Sequence, residues 1–240
     1  MTAKAVAPFQ FKKFAVEQDR CTMKVGTDGV LLGAWADVTG ANRILDIGTG
    51  TGVIAVMLAQ RNTEARVDAV EIDPKACTQA AENMANSPFA ARLTAFEISV
   101  QDYSFKNEKY DLIVSNPPFF SGGTMTKNID RDAVRHTVKL PHGALLLAVQ
   151  RMLKETGKFS VILPFIEGLR FEEMAADYHL FCVRKTEVKP KADKPVERLL
   201  LEFSKTKKEP VVNELVIQKE ARNDWTDEYI RLTGDFYLKM

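Results

Sequence analysis

The sequence predicts a doubly wound α/β domain, with helices on both faces of a seven-stranded, mostly parallel sheet. Three observations carry that reading. Short apolar runs alternate with helical segments between residues 43 and 163. The first run enters a glycine-rich turn, Gly48-Thr49-Gly50-Thr51-Gly52. Two strand-like runs, 179–188 and 196–203, then follow each other with no helix between them. The chain has 240 residues, 45% of them hydrophobic, enough for one sizeable core. A single domain over 1–240 is expected, with an N-terminal arm over 1–40 and a C-terminal strand-helix extension over 210–240.

Residues 8–16 read Pro-Phe-Gln-Phe-Lys-Lys-Phe-Ala-Val. Phenylalanines alternating with polar residues favour a strand or hairpin arm. It is either an edge element covering the core or a basic-aromatic arm that touches nucleic acid. In residues 23–36, Thr27 or Asp28 is a good N-cap ahead of an apolar run. The free N–H groups at such a helix start can hold a carboxylate.

Residues 43–47 form the first strand of the alternation, and 53–59 continue as helix after the turn. Gly48 and Gly50 let a ligand approach the backbone, and the helix start adds N–H donors. Asp46 can accept from an ammonium or from the loop's own N–H groups. A dinucleotide fingerprint needs Gly or Ala at position 53, where Val53 stands. With no evident hydride-site residue either, a nicotinamide oxidoreductase is disfavoured.

Residues 66–73 are a second strand with an acidic tip. A helix over 74–86 follows, with Pro74 in its first turn and Ala76, Ala80, Ala81 and Met84 on its buried side. Glu71 stands where a nucleoside-binding βαβ unit places the carboxylate that accepts ribose hydroxyls. Asp73 reads as an N-cap. A third strand covers 92–98. Asp102, just beyond it, is either an acceptor for an adenine amine or an ordinary loop acid.

The fourth strand, 109–115, is the most informative. Its apolar run stops at Asn116-Pro117-Pro118, because neither proline has an N–H for a ladder. The Asn116 side-chain oxygen and the Pro117 carbonyl are left as acceptors, which suits a planar group with two amine hydrogens to give. Phe119 adds a ring face for stacking. A plain strand with a Pro-Pro turn is the alternative. Further on, Arg131 and Arg135 lie one helical turn apart. They can grip phosphate together or form an exposed basic helix.

Residues 142–155 read as an amphipathic helix closed by Gly157, 158–163 as a fifth strand and 168–177 as a helix. Between the last two strands, 189–195 form a mobile basic tip. Its lysines, with Lys205, Lys207 and Lys208, are candidate phosphate contacts. A short strand over 214–218 and a helix over 225–232, capped by Asp224 or Thr226, complete the chain.

Formal net charge is +1, so any basic surface must be local. Three scattered cysteines form no disulfide framework or metal-ligand spacing, which fits a cytoplasmic protein without a metal. The first sixteen residues contain no signal-peptide core, and no run is long and apolar enough to span a membrane. A monomer is expected.

Four motifs carry a family resemblance: residues 19–29 (Asp-Arg-Cys-Thr-Met-Lys-Val-Gly-Thr-Asp-Gly), Leu45-Asp46-Ile47-Gly48, Asn116-Pro117-Pro118-Phe119 and Phe236-Tyr237-Leu238-Lys239-Met240. With them the sequence resembles the bacterial tRNA1(Val) (adenine(37)-N6)-methyltransferase family over nearly its whole length. The resemblance implies a Rossmann-like class I methyltransferase whose last strand pair is antiparallel. It implies S-adenosyl-L-methionine as cofactor, touched by Lys24, Gly26, Thr27, Asp46, Gly48, Gly50, Glu71, Asp102 and Asn116. It further implies a tRNA anticodon loop as partner, Asn116, Pro117, Pro118 and Phe119 as catalytic residues, and Phe119, Arg131 and Arg135 as substrate contacts. The family often has Tyr where Phe119 stands, so a hydroxyl is lost but the ring platform is kept. Guanine N2 and the glutamine amide also offer two N–H donors, so the Asn-Pro-Pro-Phe motif alone admits an RNA guanine-N2 or a protein glutamine-N5 methyltransferase. Residues 24–29 favour adenine in tRNA. A non-catalytic tRNA-binding module is the alternative from another class.

Overall fold

The computed structural model describes residues 6–118, 140–221 and 223–240. The phenylalanine-rich start becomes a small hairpin, β1 (Phe9–Gln10) against β2 (Ala15–Val16). Phe11 and Phe14 are buried, and their rings stack with centroids 4.6 Å apart. Phe11 also bridges to Tyr237 near the C-terminus. The arm is therefore a core-covering edge, as its apolar period favours.

The βα alternation follows: α1 (Thr27–Trp35), β3 (Arg43–Ile47), α2 (Val53–Arg61), β4 (Arg66–Glu71), α3 (Pro74–Ala85), β5 (Leu93–Glu97), α4 (Val100–Tyr103) and β6 (Tyr110–Ser115). After the segment outside the described residues come α5 (His142–Met152), β7 (Leu153–Pro164), α6 (Phe165–Ala175), β8 (Phe181–Lys191), β9 (Arg198–Ser204), β10 (Val211–Gln218) and α7 (Asp227–Thr233). The sheet order is β10-β8-β9-β7-β6-β3-β4-β5. From β7 to β5 the pairs are parallel, whereas β9 runs antiparallel to both β7 and β8. The seven expected strands are all present. The C-terminal extension adds an eighth, β10, parallel to β8 at the edge.

Central strands of such a sheet are covered on both faces, so their apolar residues run almost without a break. In β3, Ile44 joins the core layer of α1 and α2, while Leu45 and Ile47 join that of α5 and α6. Helices α1 and α2 cross closely at Gly33, where a Cβ would stand 2.8 Å from Met57 Sδ.

Several elements differ from the sequence expectation. The N-cap of α1 is Gly26, which has no side chain to cap with; Thr27 and Asp28 lie inside the first turn, and Asp28 accepts from Arg198 Nε at 2.9 Å. Helix α5 ends at Met152 and β7 begins at once, since Leu153 pairs with Tyr110 ahead of a register shift. Gly157 is no helix cap. It lies within β7, where a Cβ would come within 3.0 Å of the Tyr110 carbonyl oxygen. Strand β8 runs through Lys191, so three of the seven residues of the expected basic tip belong to the strand, and Lys189 pairs with Glu214. Along α3, Ala81 is exposed while Gln79 and Asn83 are buried. Asn83 bonds both the N–H and the carbonyl of Glu17 and the Thr51 carbonyl, and the Gln79 oxygen accepts from Arg20 N. These amides dock the arm onto the domain.

Candidate active site

In the sheet β3 lies between β4 and β6, so successive connections leave it toward opposite sides. That is a topological switch point, where doubly wound sheets open a crevice at the carboxyl ends of their strands. Ile47 is the Cα partner of Val70 on one side and of Ser115 on the other. The next residues, Gly48, Glu71 and Asn116, therefore stand on three adjacent strand ends.

The turn after β3 is built on positive φ angles, +70° at Gly48, +54° at Gly50 and +81° at Gly52, which suit glycine. A Cβ at Gly48 or Gly50 would meet nothing within 4 Å, so open space lies over the turn. Gly52 faces inward instead, and a Cβ there would lie 3.3 Å from Ala80 Cα. The turn is tethered by Gly48 N and Thr49 N, which both donate to the Val70 carbonyl. Glu71 stands against it, with Oε2 accepting from Gly50 N at 3.0 Å. Glu71 Oε1 accepts from Ile72 N and Asp73 N. Asp73 caps α3, accepting from Lys75 N and Ala76 N.

Asp46 lies beneath the turn and is fully buried. Thr49 Oγ1 donates to its Oδ2 at 2.6 Å, while Oδ1 has no hydrogen-bond partner among the described residues. Burial pushes this carboxyl up to about 7 and the charge of Glu71 adds to the rise, which Thr49 and the N–H of Ala55 offset in part.

Asn116 repeats the pattern. Ser115 Oγ donates to the Ile47 carbonyl at 2.9 Å and ties the end of β6 to the end of β3. Beyond it, Asn116 Oδ1 is a buried acceptor without a partner among the described residues. Pro117 is buried and Pro118 exposed. Leaving a buried acceptor unpaired costs about 1–3 kcal/mol. Two such atoms, on neighbouring strands around an open glycine turn, point to a ligand that brings donors.

The first turn of α1 abuts the start of α2, since a Cβ on Gly29 would lie 3.6 Å from Val53. Gly26 and Thr27 thus present an uncapped helix start beside the glycine turn. Lys24 is exposed, and Val25 N is held by Gln18 Oε1 at 3.0 Å. Asp102 is not a loop acid. It lies in α4, where Ser99 Oγ donates to its carboxylate at 2.6 Å. The structure brings Asp46, Gly48, Gly50, Glu71 and Asn116 together, with Gly26 and Thr27 close by. It shows no contact from Lys24 or Asp102 to that group. Phe119, Arg131 and Arg135 lie outside the described residues.

Thr49 and Ser115 escaped the sequence reading. A hydroxyl at the end of an apolar strand was a signal for Ser115. Thr49 could be found only by its distance to Asp46.

A crevice at this switch point, a glycine turn with a carboxylate on the next strand and an Asn-Pro-Pro strand end define a class I amino-methyltransferase architecture. Residues 25–168 match the methyltransferase small domain. The tRNA1(Val) (adenine(37)-N6)-methyltransferase of Trichodesmium erythraeum is 48% identical over 234 residues, covering 96% of this chain and 98% of the relative. That of Parabacteroides distasonis is 46% identical over 97% of this chain and 98% of the relative. In fold, the chain is similar to a predicted O-methyltransferase of Agrobacterium tumefaciens, with a TM-score of 0.68 and 18% identity over 87% of this chain and 96% of that one. The chain belongs to the tRNA1(Val) (adenine(37)-N6)-methyltransferase family.

Proposed function

We propose that this protein transfers a methyl group from S-adenosylmethionine to the exocyclic N6 of adenine 37 in the anticodon loop of a tRNA. The observation that carries the reading is Asn116 Oδ1, buried at a strand end beside the glycine turn and without a partner among the described residues. The names of the relatives supply the base and the tRNA.

The open cradle over Gly48 and Gly50 and the Asp46 oxygen left without a partner among the described residues fit the cofactor. Glu71 would hold the ribose hydroxyls, releasing Gly50 N as it turns. The free N–H groups at the start of α1 would take the methionine carboxylate. Asp46 would face the ammonium. When bound, S-adenosylmethionine supplies a methyl group already activated on a sulfonium.

The chain's own task is to hold the amine. Adenine N6 is a poor nucleophile because its lone pair is delocalised into the ring. Asn116 Oδ1 and the Pro117 carbonyl accept its two hydrogens and stabilise the positive charge that develops on nitrogen. The prolines at 117 and 118 offer no N–H that would compete for those acceptors. Phe119 would stack on the base, and Arg131 and Arg135 would meet phosphate. An unpaired loop base leaves its stack more readily than one in a duplex. The reaction needs no metal and is compatible with a monomer. Among the described residues no helix is long and apolar enough to cross a membrane, and a cytoplasmic site of action is part of the proposal.

The test is tritiated methyl transfer to total tRNA from a strain lacking this protein, followed by nucleoside analysis. Label in N6-methyladenosine is expected. Asn116→Ala should keep cofactor affinity and lose at least about a hundredfold in turnover, the scale of removing one preorganised polar group. Normal turnover in that variant would reject the assignment.

A further inference from the structure

A second concavity opens at the same end of the sheet. It is a cleft of about 470 Å³ between the start of α1, the tip joining β8 to β9, and the C-terminal extension. Arg198 marks the level, because it is the Cα partner of Pro164, three residues beyond the partner of Ser115 on β7. Thr27 and Asp28 line the cleft from α1, so that helix start stands between it and the glycine turn. The far wall is aromatic, formed by Trp225, Tyr229 and Tyr237. The Trp225 and Tyr229 ring centroids are 5.3 Å apart. Tyr229 is buried, but Trp225 and Tyr237 are only half-buried.

We propose that this cleft holds an unpaired nucleotide of the tRNA loop near the methylated base, with its ring stacked on Trp225. The volume lies in the range of small-molecule sites. Aromatic faces are the usual platform for unstacked RNA bases, whose polar edges then seek side chains. Of the two acids lining the cleft, Asp28 is held by Arg198, and Glu197 is exposed as an acceptor for base N–H groups. Lys239 is exposed at the rim. Lys191 and Lys219 follow the lining residues Pro190 and Gln218. Lys219 and Lys194 pair with Asp227 and Asp193 at the open surface, where such pairs are weak and yield readily to phosphate. The aromatic wall also lies in the part of the chain beyond residue 168, outside the common methyltransferase domain. An RNA-specific role is therefore natural for it.

The proposal deepens the functional reading above and rests on it for the identity of the RNA. The chain has two tryptophans, and Trp35 is buried beneath Arg184, whose Cζ is 3.6 Å from its ring centroid. In a Trp35→Phe background Trp225 is therefore a lone fluorophore. Titration with an anticodon stem-loop RNA should quench it saturably, and a stem of the same duplex closed by a non-nucleotide linker should not. In steady-state assays Trp225→Ala should raise KM for tRNA about tenfold, with kcat and cofactor affinity held within about twofold, and Trp225→Phe should recover most of the loss. Unquenched fluorescence with an RNA that the enzyme methylates would overturn the proposal, as would an unchanged KM in Trp225→Ala. If the unmutated chain methylates no tRNA, the functional reading fails. A saturable quench would in that case still support the cleft as an RNA site.

Discussion

Asp46→Asn tests whether the carboxyl beneath the glycine turn is a charge kept for the ligand. In the ligand-free protein this group is fully buried, and its pKa is pushed from 3.8 up to about 7. At roughly 1.4 kcal/mol per pH unit, ionising it in the fold costs on the order of 4 kcal/mol. The sign follows from linkage. The native state binds this proton more tightly than the unfolded state does. Its stabilising effect is complete below about pH 4, is lost progressively as pH rises to about 7, and is constant above that. Urea unfolding of the ligand-free protein across this range reads the effect. The wild-type chain should lose several kcal/mol relative to Asp46→Asn, in which this titration is absent, so the two curves should converge at low pH and diverge toward neutrality. A cationic ligand reverses the preference. Affinity for S-adenosylmethionine should therefore rise with pH through neutrality in the wild type and stay flat in the variant. Parallel stability curves for the two proteins would refute the reasoning, because Asp46 would then titrate as it does in the unfolded chain.

Two further substitutions test the scaffold. Gly52→Ala forces a left-handed residue at φ +81° and brings a Cβ to 3.3 Å from both Ala80 Cα and Met84 Cε, so it should cost about 2 kcal/mol or more and lower Tm. At Gly40, also left-handed but with nothing within 4 Å, the same change should cost only about 1 kcal/mol. Asn83→Ala removes three hydrogen bonds from a buried amide and strands the Glu17 and Thr51 groups, a loss of about 3 kcal/mol in urea unfolding. It should also speed limited proteolysis within residues 6–20, where the arm would come away from α3.

Elements governed by near neighbours were legible in the chain itself. Asp73 caps α3 as its position predicts, and Thr226, one of the two caps the sequence left open, caps α7, because capping involves atoms only two or three residues apart. The glycine turn is equally local, since only glycine accepts its angles without strain. Where the reading failed, a distant partner decided. Thr27 and Asp28 are adequate caps in isolation, yet the helix begins with Gly26 as its cap, and the Asp28 carboxylate inside the first turn meets Arg198, 170 residues beyond it. Gly157 resembles a helix stop until the Tyr110 carbonyl is placed beside it. An alanine face on α3 hid the two amides that fasten the arm.

By itself the sequence determined which groups the molecule has to work with: strand ends carrying Asp46, Glu71 and Asn116, a turn open to a ligand, and an acceptor flanked by residues without N–H. These follow from the chemistry of a few consecutive residues. Only the tertiary structure decided that β3 lies between β4 and β6, that two buried oxygens at one crevice have no partner among the described residues, and that the C-terminal extension faces α1 across an aromatic cleft. Strand order and burial arise from pairings between residues far apart in the chain, and no local pattern encodes which strand will be the neighbour of another.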